Sequence, residues 1–436
     1  MTAPRLLMSL IVTLAAAGAA RAQRVDLTEA PLADRCFRIE LAMELKGKIT
    51  VHQQGETASF PHEAEAHHAY LERVLVANGG VADKTARHYQ KADATISFNK
   101  QSSRRTLRPE RALMVAHRNR DQMLVYCPKG DLTREEKELT EHFDTLFVSG
   151  LAPGKSVAVG ESWKLGTPVA LALCDLDGLT EHDVTCKLDD VKAEVATVSA
   201  LGTVSGIAQG AQVKILINAH FRFDTKEKCV TFVEWKQSEQ RHQGPVSPAM
   251  SADVTIVLKR SPIATPAELN DLALVPSQVE PTAELLNLHY HDAKGRFELQ
   301  HSRDWHVVSP ESSPQLVLRL MDRGDFIAQA TVTPWKKADP SDKTTLEQFY
   351  DLMKTSPGWH EEKLIEKTEL PEPRGHALYR VTASGAFDDV KAVQSFYLVV
   401  SPQGERLIVT FSVVPNQVQK LESRDFELVR SIAFGK

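Results

Sequence analysis

Cysteine is scarce in this 436-residue chain and poorly spaced for chemistry. Cys36, Cys127, Cys174, Cys186 and Cys229 are all it has, and no two form a Cys-x-x-Cys pair. That excludes a zinc ribbon and a thioredoxin-type redox pair. The odd count leaves at least one thiol over whatever else oxidises, and buried free thiols are the simplest expectation. No cysteine follows Cys229, so the second half must hold together by its hydrophobic core. Also missing are a Gly-x-Ser-x-Gly elbow and a phosphate-binding loop; "GTVSGIAQG" (202–210) lacks the Lys-Ser/Thr ending. Neither sign of charge dominates. The 52 basic and 57 acidic residues give a net charge of −5, which argues against nucleic acid or an anionic membrane as partner.

Long apolar runs are absent too, except at the start. Arg5 precedes the uncharged stretch Leu6–Ala20, and Ala20-Arg21-Ala22 gives a small-x-small site. This reads as a secretory signal peptide over 1–22, cleaved after Ala22, and implies a periplasmic or extracellular protein. No cysteine stands at the cleavage point, so neither a lipid anchor nor a membrane span is expected. Loss of Arg5 and Arg21 makes the mature chain two charges more negative than −5. The roughly 414 residues that remain suit two or three domains.

Pro262, Pro266, Pro276 and Pro281 punctuate the segment 261–293, which reads as a proline-containing linker between a first domain, 25–260, and a second, 294–436. The first reads as an antiparallel β meander, a curved sheet or half-barrel. In "VKILINAHFRF", Val213, Ile215, Ile217, Ala219, Phe221 and Phe223 alternate with polar residues, as on a strand with one wet face. "DLTREEKELTEHFDTLF" has Thr133 and Glu136 at capping-box spacing, with Leu139, Phe143 and Leu146 along one side. A shorter helix is expected at "DKTARHYQKA" (83–92).

The second domain mixes periods. Strand-like runs such as "AVQSFYLVV" and "RLIVTFSVV" accompany two amphipathic helices, one behind a Thr344–Glu347 box and one carrying Leu421, Phe426, Val429 and Ile432. The fold class expected is α+β, with helices packed on the C-terminal sheet. "FELQHSRDWHVV", with Asp304-Trp305, then the helix at Thr344, "GHALYRVTASG", the hairpin through Arg406 and the closing "LVRSIAF" resemble the PsbP/DcrB-like family of exported accessory proteins. The resemblance covers about 140 residues and implies an accessory or binding role without a common active site. "VAVGESWKLG" (157–166) is similar to exported bacterial β-rich proteins of unknown function.

Histidine supplies the only candidates for metal chemistry. "PHEAEAHHAY" imitates a zincin helix, but position i+4 from His62 is Ala66, and His67 and His68 come too late. As a strand, it puts His62, Ala64, Ala66 and His68 on one face and Glu63, Glu65 and His67 on the other. "HEEKL" fails the same spacing test, since Leu364 stands four residues after His360. In "HYHD", His289 and His291 share a strand face and are able to chelate a borderline metal, although Ala293 and Lys294 stand where a metallo-β-lactamase-like motif needs ligands. Ser302, Asp304 and His306 alternate in sequence, but a triad converges from separate elements. The sequence therefore predicts no catalytic, cofactor or metal residues. It predicts an exported, non-catalytic binding or scaffolding protein. The alternatives are a carrier of a lipid or other hydrophobic ligand, if Val213, Ile215 and Ile217 line a cavity, and a metal-dependent hydrolase.

Overall fold

The structure, a computed structural model, describes residues 24–435 apart from 30–31, 54–55, 79–80, 120–121, 142, 279, 311, 339–343, 373 and 388. The expected signal peptide, 1–22, lies outside the described residues.

Alternating side chains build the largest sheet. Its long strands are β1 (Cys36–Gln53), β2 (Glu56–Asn78), β3 (Val81–Phe98), β4 (Val195–Ala208), β5 (Ala211–Asp224), β6 (Cys229–Arg241) and β7 (Ala249–Ile263). They lie side by side in the order β4-β5-β6-β7-β1-β2-β3, all antiparallel, and shorter strands extend both ends. The join between β7 and β1 fuses two runs of neighbours, with Ile263 opposite Cys36 and Ala249 opposite Thr50. A simple meander would have left β1 at an edge. Near one end of this join, a Cβ on Gly47 would lie 2.3 Å from the Ser251 carbonyl oxygen, so only glycine fits.

The stretch "SFPHEAEAHHAY" is part of β2, and Glu63, Glu65 and His67 are exposed while His68 is buried. The short helix expected at 83–92 is instead the middle of β3. Ala, Lys, Arg and Gln suit a helix, but Ala86, Arg87 and Tyr89 are buried between β2 and Leu113–Asn119 (pairs Arg73↔Ala86 and Ala86↔Val115). Sheet pairing overrides local propensity there.

One face of β5 is buried from Val213 to Phe223 and the other is exposed. The buried face is covered by α1 (Arg134–Thr140), α2 (Thr145–Val148) and α3 (Thr167–Leu173), which share one apolar cluster with it. Thr133 caps α1 in the expected box with Glu136. Leu139, Phe143, Leu146 and Phe147 follow into the core, where the Phe143 ring stands 5.7 Å from that of Trp235 on β6. The five cysteines are free and buried, and burial pushes the Cys174 and Cys186 thiols up to about 12.

The proline-bearing segment is not bare chain. Leu269 and Leu274 are buried against Leu71, Ala86 and Leu113 on the other face of the large sheet. It leads to β8 (Leu288–His291) and β9 (Phe297–His301), an antiparallel hairpin. Strand β8 also pairs in parallel with Leu132–Thr133, just ahead of α1, and stitches the two halves together.

The second half holds a seven-stranded antiparallel sheet in the order β10 (Trp305–Val307), β11 (Leu316–Asp322), β12 (Asp325–Trp335), β16 (Arg406–Val413), β15 (Val390–Val400), β14 (Ala377–Phe387), β13 (Trp359–Leu370). Trp305 and Tyr397 meet the Phe411 ring at 5.9 and 5.7 Å. Edge strand β13 carries two register irregularities and a run of charges, which guard it against pairing with another chain.

The α+β expectation is overturned. Strands make up 59% of the structure and helices 15%, which makes this a mostly β protein. The helical stripes exist, but α4 (Leu346–Lys354) has nine residues and α5 (Arg424–Ser431) eight, against 23 for β2. The capping box of α4 is Thr345–Gln348, one residue later than expected.

Candidate functional site

Three places collect polar chemistry, and the buried face of β5 is not among them. Val213, Ile215 and Ile217 are at most 4% exposed and share one apolar cluster with residues of α1–α3; Val213 borders a pocket of about 320 Å³ whose lining also includes the polar Thr180, Gln212, Lys214 and His242, and Ile215 and Ile217 do not reach it.

The first place is a fully buried ion cluster. Arg87 on β3 makes a two-pronged pair with Asp144 at 2.6 Å on both arms, and its Nε donates to Glu72 on β2 at 3.0 Å. The Thr145 hydroxyl accepts from Arg87 at 3.0 Å and donates to Glu72. Asp144 also caps α2 by accepting from the Leu146 N–H at 2.7 Å. Burial works against the Arg87 cation, but Asp144 and Glu72 hold its guanidinium well above its ordinary value. Every member is occupied by another, which suits a structural role.

The second place is a cleft of about 240 Å³ between the halves, continuous with one of about 220 Å³ that shares Lys137, Glu141, Asp175 and Asp177. Helix α1 brings Lys137, the chain after α3 brings Asp175 and Asp177, and the second half brings Arg303 and His306. Most charges are paired: Arg134 with Glu138 at 2.5 Å, Arg303 with Glu141 at 2.9 Å, and Lys137 with Glu141. Asp175 differs. Its backbone is left-handed at φ 52°, and its carboxylate has no ion pair or hydrogen bond among the described residues. It reaches solvent through the cleft, yet protein surrounds it, and that low-dielectric setting raises the carboxyl to about 6.

The third place is the β8–β9 hairpin, where His289, His291 and Glu298 offer ligand atoms all within 4.8 Å of one another.

The other residues singled out in the sequence disperse. His62 Nδ1 lies 3.2 Å from the Ser97 carbonyl, and His68 Nε2 lies 2.8 Å from that of Leu139. Exposed His67 and His360 join no cluster among the described residues. Ser302, Asp304 and His306 do not alternate on a strand, because 303–304 form a turn before β10. No sequence pattern announced Asp175 or the Arg87 cluster, whose members come from β2, β3 and the start of α2.

Burial pushes His68, His301 and His306 down to about 4. An unfolded histidine titrates near 6.5, so between about pH 6.5 and 4 the unfolded chain binds protons that the folded one refuses. Stability falls as pH falls through that window. Asp175 acts oppositely, since its folded carboxyl holds a proton below about 6 that the unfolded one releases until about 3.8. Three groups outweigh one. Urea unfolding is expected to show a loss of about 3 kcal/mol from pH 7 to 4.5, part of it absent in His68→Gln. A flat or rising profile contradicts this assignment.

No protein-family model matches the chain, and no curated protein is similar to it. Among solved structures, cyanobacterial PsbP (CyanoP) from Synechocystis sp. PCC 6803 is similar at 16% identity and TM-score 0.27, over 35% of this chain and 94% of that one. A lipovitellin structure described by its lipid–protein interactions is similar at 6% identity and TM-score 0.30, over 54% and 26%. A DUF1329 family protein from Desulfovibrio piger is similar at 9% identity and TM-score 0.12, over 57% and 92%. At these scores no function is transferred.

Proposed function

We propose that the protein is an exported, non-catalytic binding protein whose cleft between the halves takes a small polar ligand with a cationic group. The observation that carries this reading is Asp175. A cleft-lining carboxylate with no partner among the described residues, in a left-handed conformation that disfavours most L-residues, marks a position kept for something other than stability. A cationic group seated there would return the carboxyl to its charged form. Both halves line the cleft, so a ligand would also fix their relation. Export rests on the leader-like first 22 residues. A hydrophobic cargo is disfavoured because α1–α3 occupy the face it would need.

Native mass spectrometry of the mature protein, purified gently from its host's exported fraction, tests this. The wild type is expected to carry a small non-lipid mass that Asp175→Asn lacks, and asparagine tolerates the left-handed backbone. A lipid-sized mass in both proteins overturns the reading in favour of a carrier, and bare chain in both removes the cleft as the site.

A further inference from the structure

Strand alternation places His289 and His291 on one face of β8, while Tyr290 turns to the other and packs by Phe297. The hairpin register then sets Glu298 of β9 directly opposite His291. The two imidazoles stack, with centroids 4.1 Å apart and planes 18° from parallel. His289 Nε2 and His291 Nδ1 both face the same Glu298 carboxylate oxygen, at 3.5 and 3.3 Å.

These separations are too long for charge-assisted hydrogen bonds, which close to about 2.7–2.9 Å. They match the spacing between neighbouring ligands of a tetrahedral ion, about 3.3–3.4 Å for metal–ligand bonds of about 2.0–2.1 Å. A second observation fixes the orientation of the His289 ring. Its Nδ1 lies 2.9 Å from Asp131 Oδ2, which also accepts from Gln300 Nε2 at 3.1 Å. Asp131 can only accept when ionised, so Nδ1 is a donor and Nε2 is the ring nitrogen turned toward Glu298. That Nε2 is sealed from solvent without a hydrogen-bond partner among the described residues. A carboxylate behind a histidine whose far nitrogen is free is how metal-ligating imidazoles are held.

We propose that His289, His291 and Glu298 form a binding site for a divalent cation of the zinc class, with Asp131 as a positioning residue. Two imidazoles and one carboxylate suit zinc, and copper or nickel would compete. Exposed His291 leaves a fourth position open to water. Asp131 immediately precedes the Leu132–Thr133 strand that pairs with β8, so the ion would pin the first half to the hairpin. This inference does not depend on Asp175.

The test is calorimetric titration of the chelator-stripped mature chain with zinc, repeated with cobalt to read tetrahedral coordination by absorption. One equivalent is expected to bind at micromolar affinity or tighter. His291→Gln and Glu298→Gln are expected to weaken it at least a hundredfold, and Asp131→Asn about 10–100-fold at unchanged stoichiometry. His291 is exposed and Glu298 half-buried, and neither is part of an apolar cluster, so metal-free circular dichroism and melting of these variants should match wild type. Absence of stoichiometric binding, or equal affinity in His291→Gln, overturns the site.

Discussion

Arg87→Met is expected to cost about 3–5 kcal/mol at neutral pH. The substitution removes the cation that pairs directly with both carboxylates of a cluster in which the Arg87, Glu72 and Asp144 side chains are at most 3% exposed. Two carboxylates would then face one another without water, and the bidentate arms on Asp144 would vanish. A methionine fills much of the same volume, so the loss measures uncompensated charge more than a cavity. A further variant separates these causes. Glu72→Gln/Arg87→Met/Asp144→Asn removes every charge while keeping an acceptor at the α2 cap, and should recover much of the loss. Urea unfolding at pH 7 reads both proteins; a single-variant loss below about 1 kcal/mol would mean that water reaches the cluster.

Phe143→Ala is expected to cost about 3–5 kcal/mol and to open the buried face of the large sheet. The Phe143 side chain follows α1 into the core and stands against fully buried Trp235, with Leu139 and Leu146 in the same cluster. Removing the ring leaves an apolar void, which stays dry and accepts an apolar probe. The variant should therefore bind xenon or benzene while the wild type does not. This separates the binding reading from the carrier reading. A wild-type protein that already takes a long-chain fatty acid onto this face would show that the helices leave it in solution, and would restore the carrier.

Particular residues show how far the sequence could be read. Alternation from Val213 to Phe223 gave β5 and its buried face, because period 2 is a local property of an extended chain. Thr133 and Glu136 gave the start of α1 for a similar reason, since a capping box spans four residues. The failure of the zincin spacing around His62 and the strand that replaced it were equally local. At 83–92 the residues favoured a helix and the neighbours a strand, and the neighbours won because the segment lies inside a sheet. The α+β expectation fell to length: genuine helical stripes were given more weight than eight or nine residues can carry.

Chain neighbours within a few residues are thus what the sequence determined by itself: faces, caps, turns and the motifs that could not work. Tertiary structure alone decided that β1 lies beside β7, since alternation says which face is wet but not which strand is the partner. It alone brought Asp144 to Arg87 and Asp131 to His289, across 57 and 158 positions. It also left Asp175 without an ion pair or hydrogen bond among the described residues. Buried polar groups take whichever complementary group the packing delivers, and that delivery is settled by the whole fold, not by spacing along the chain.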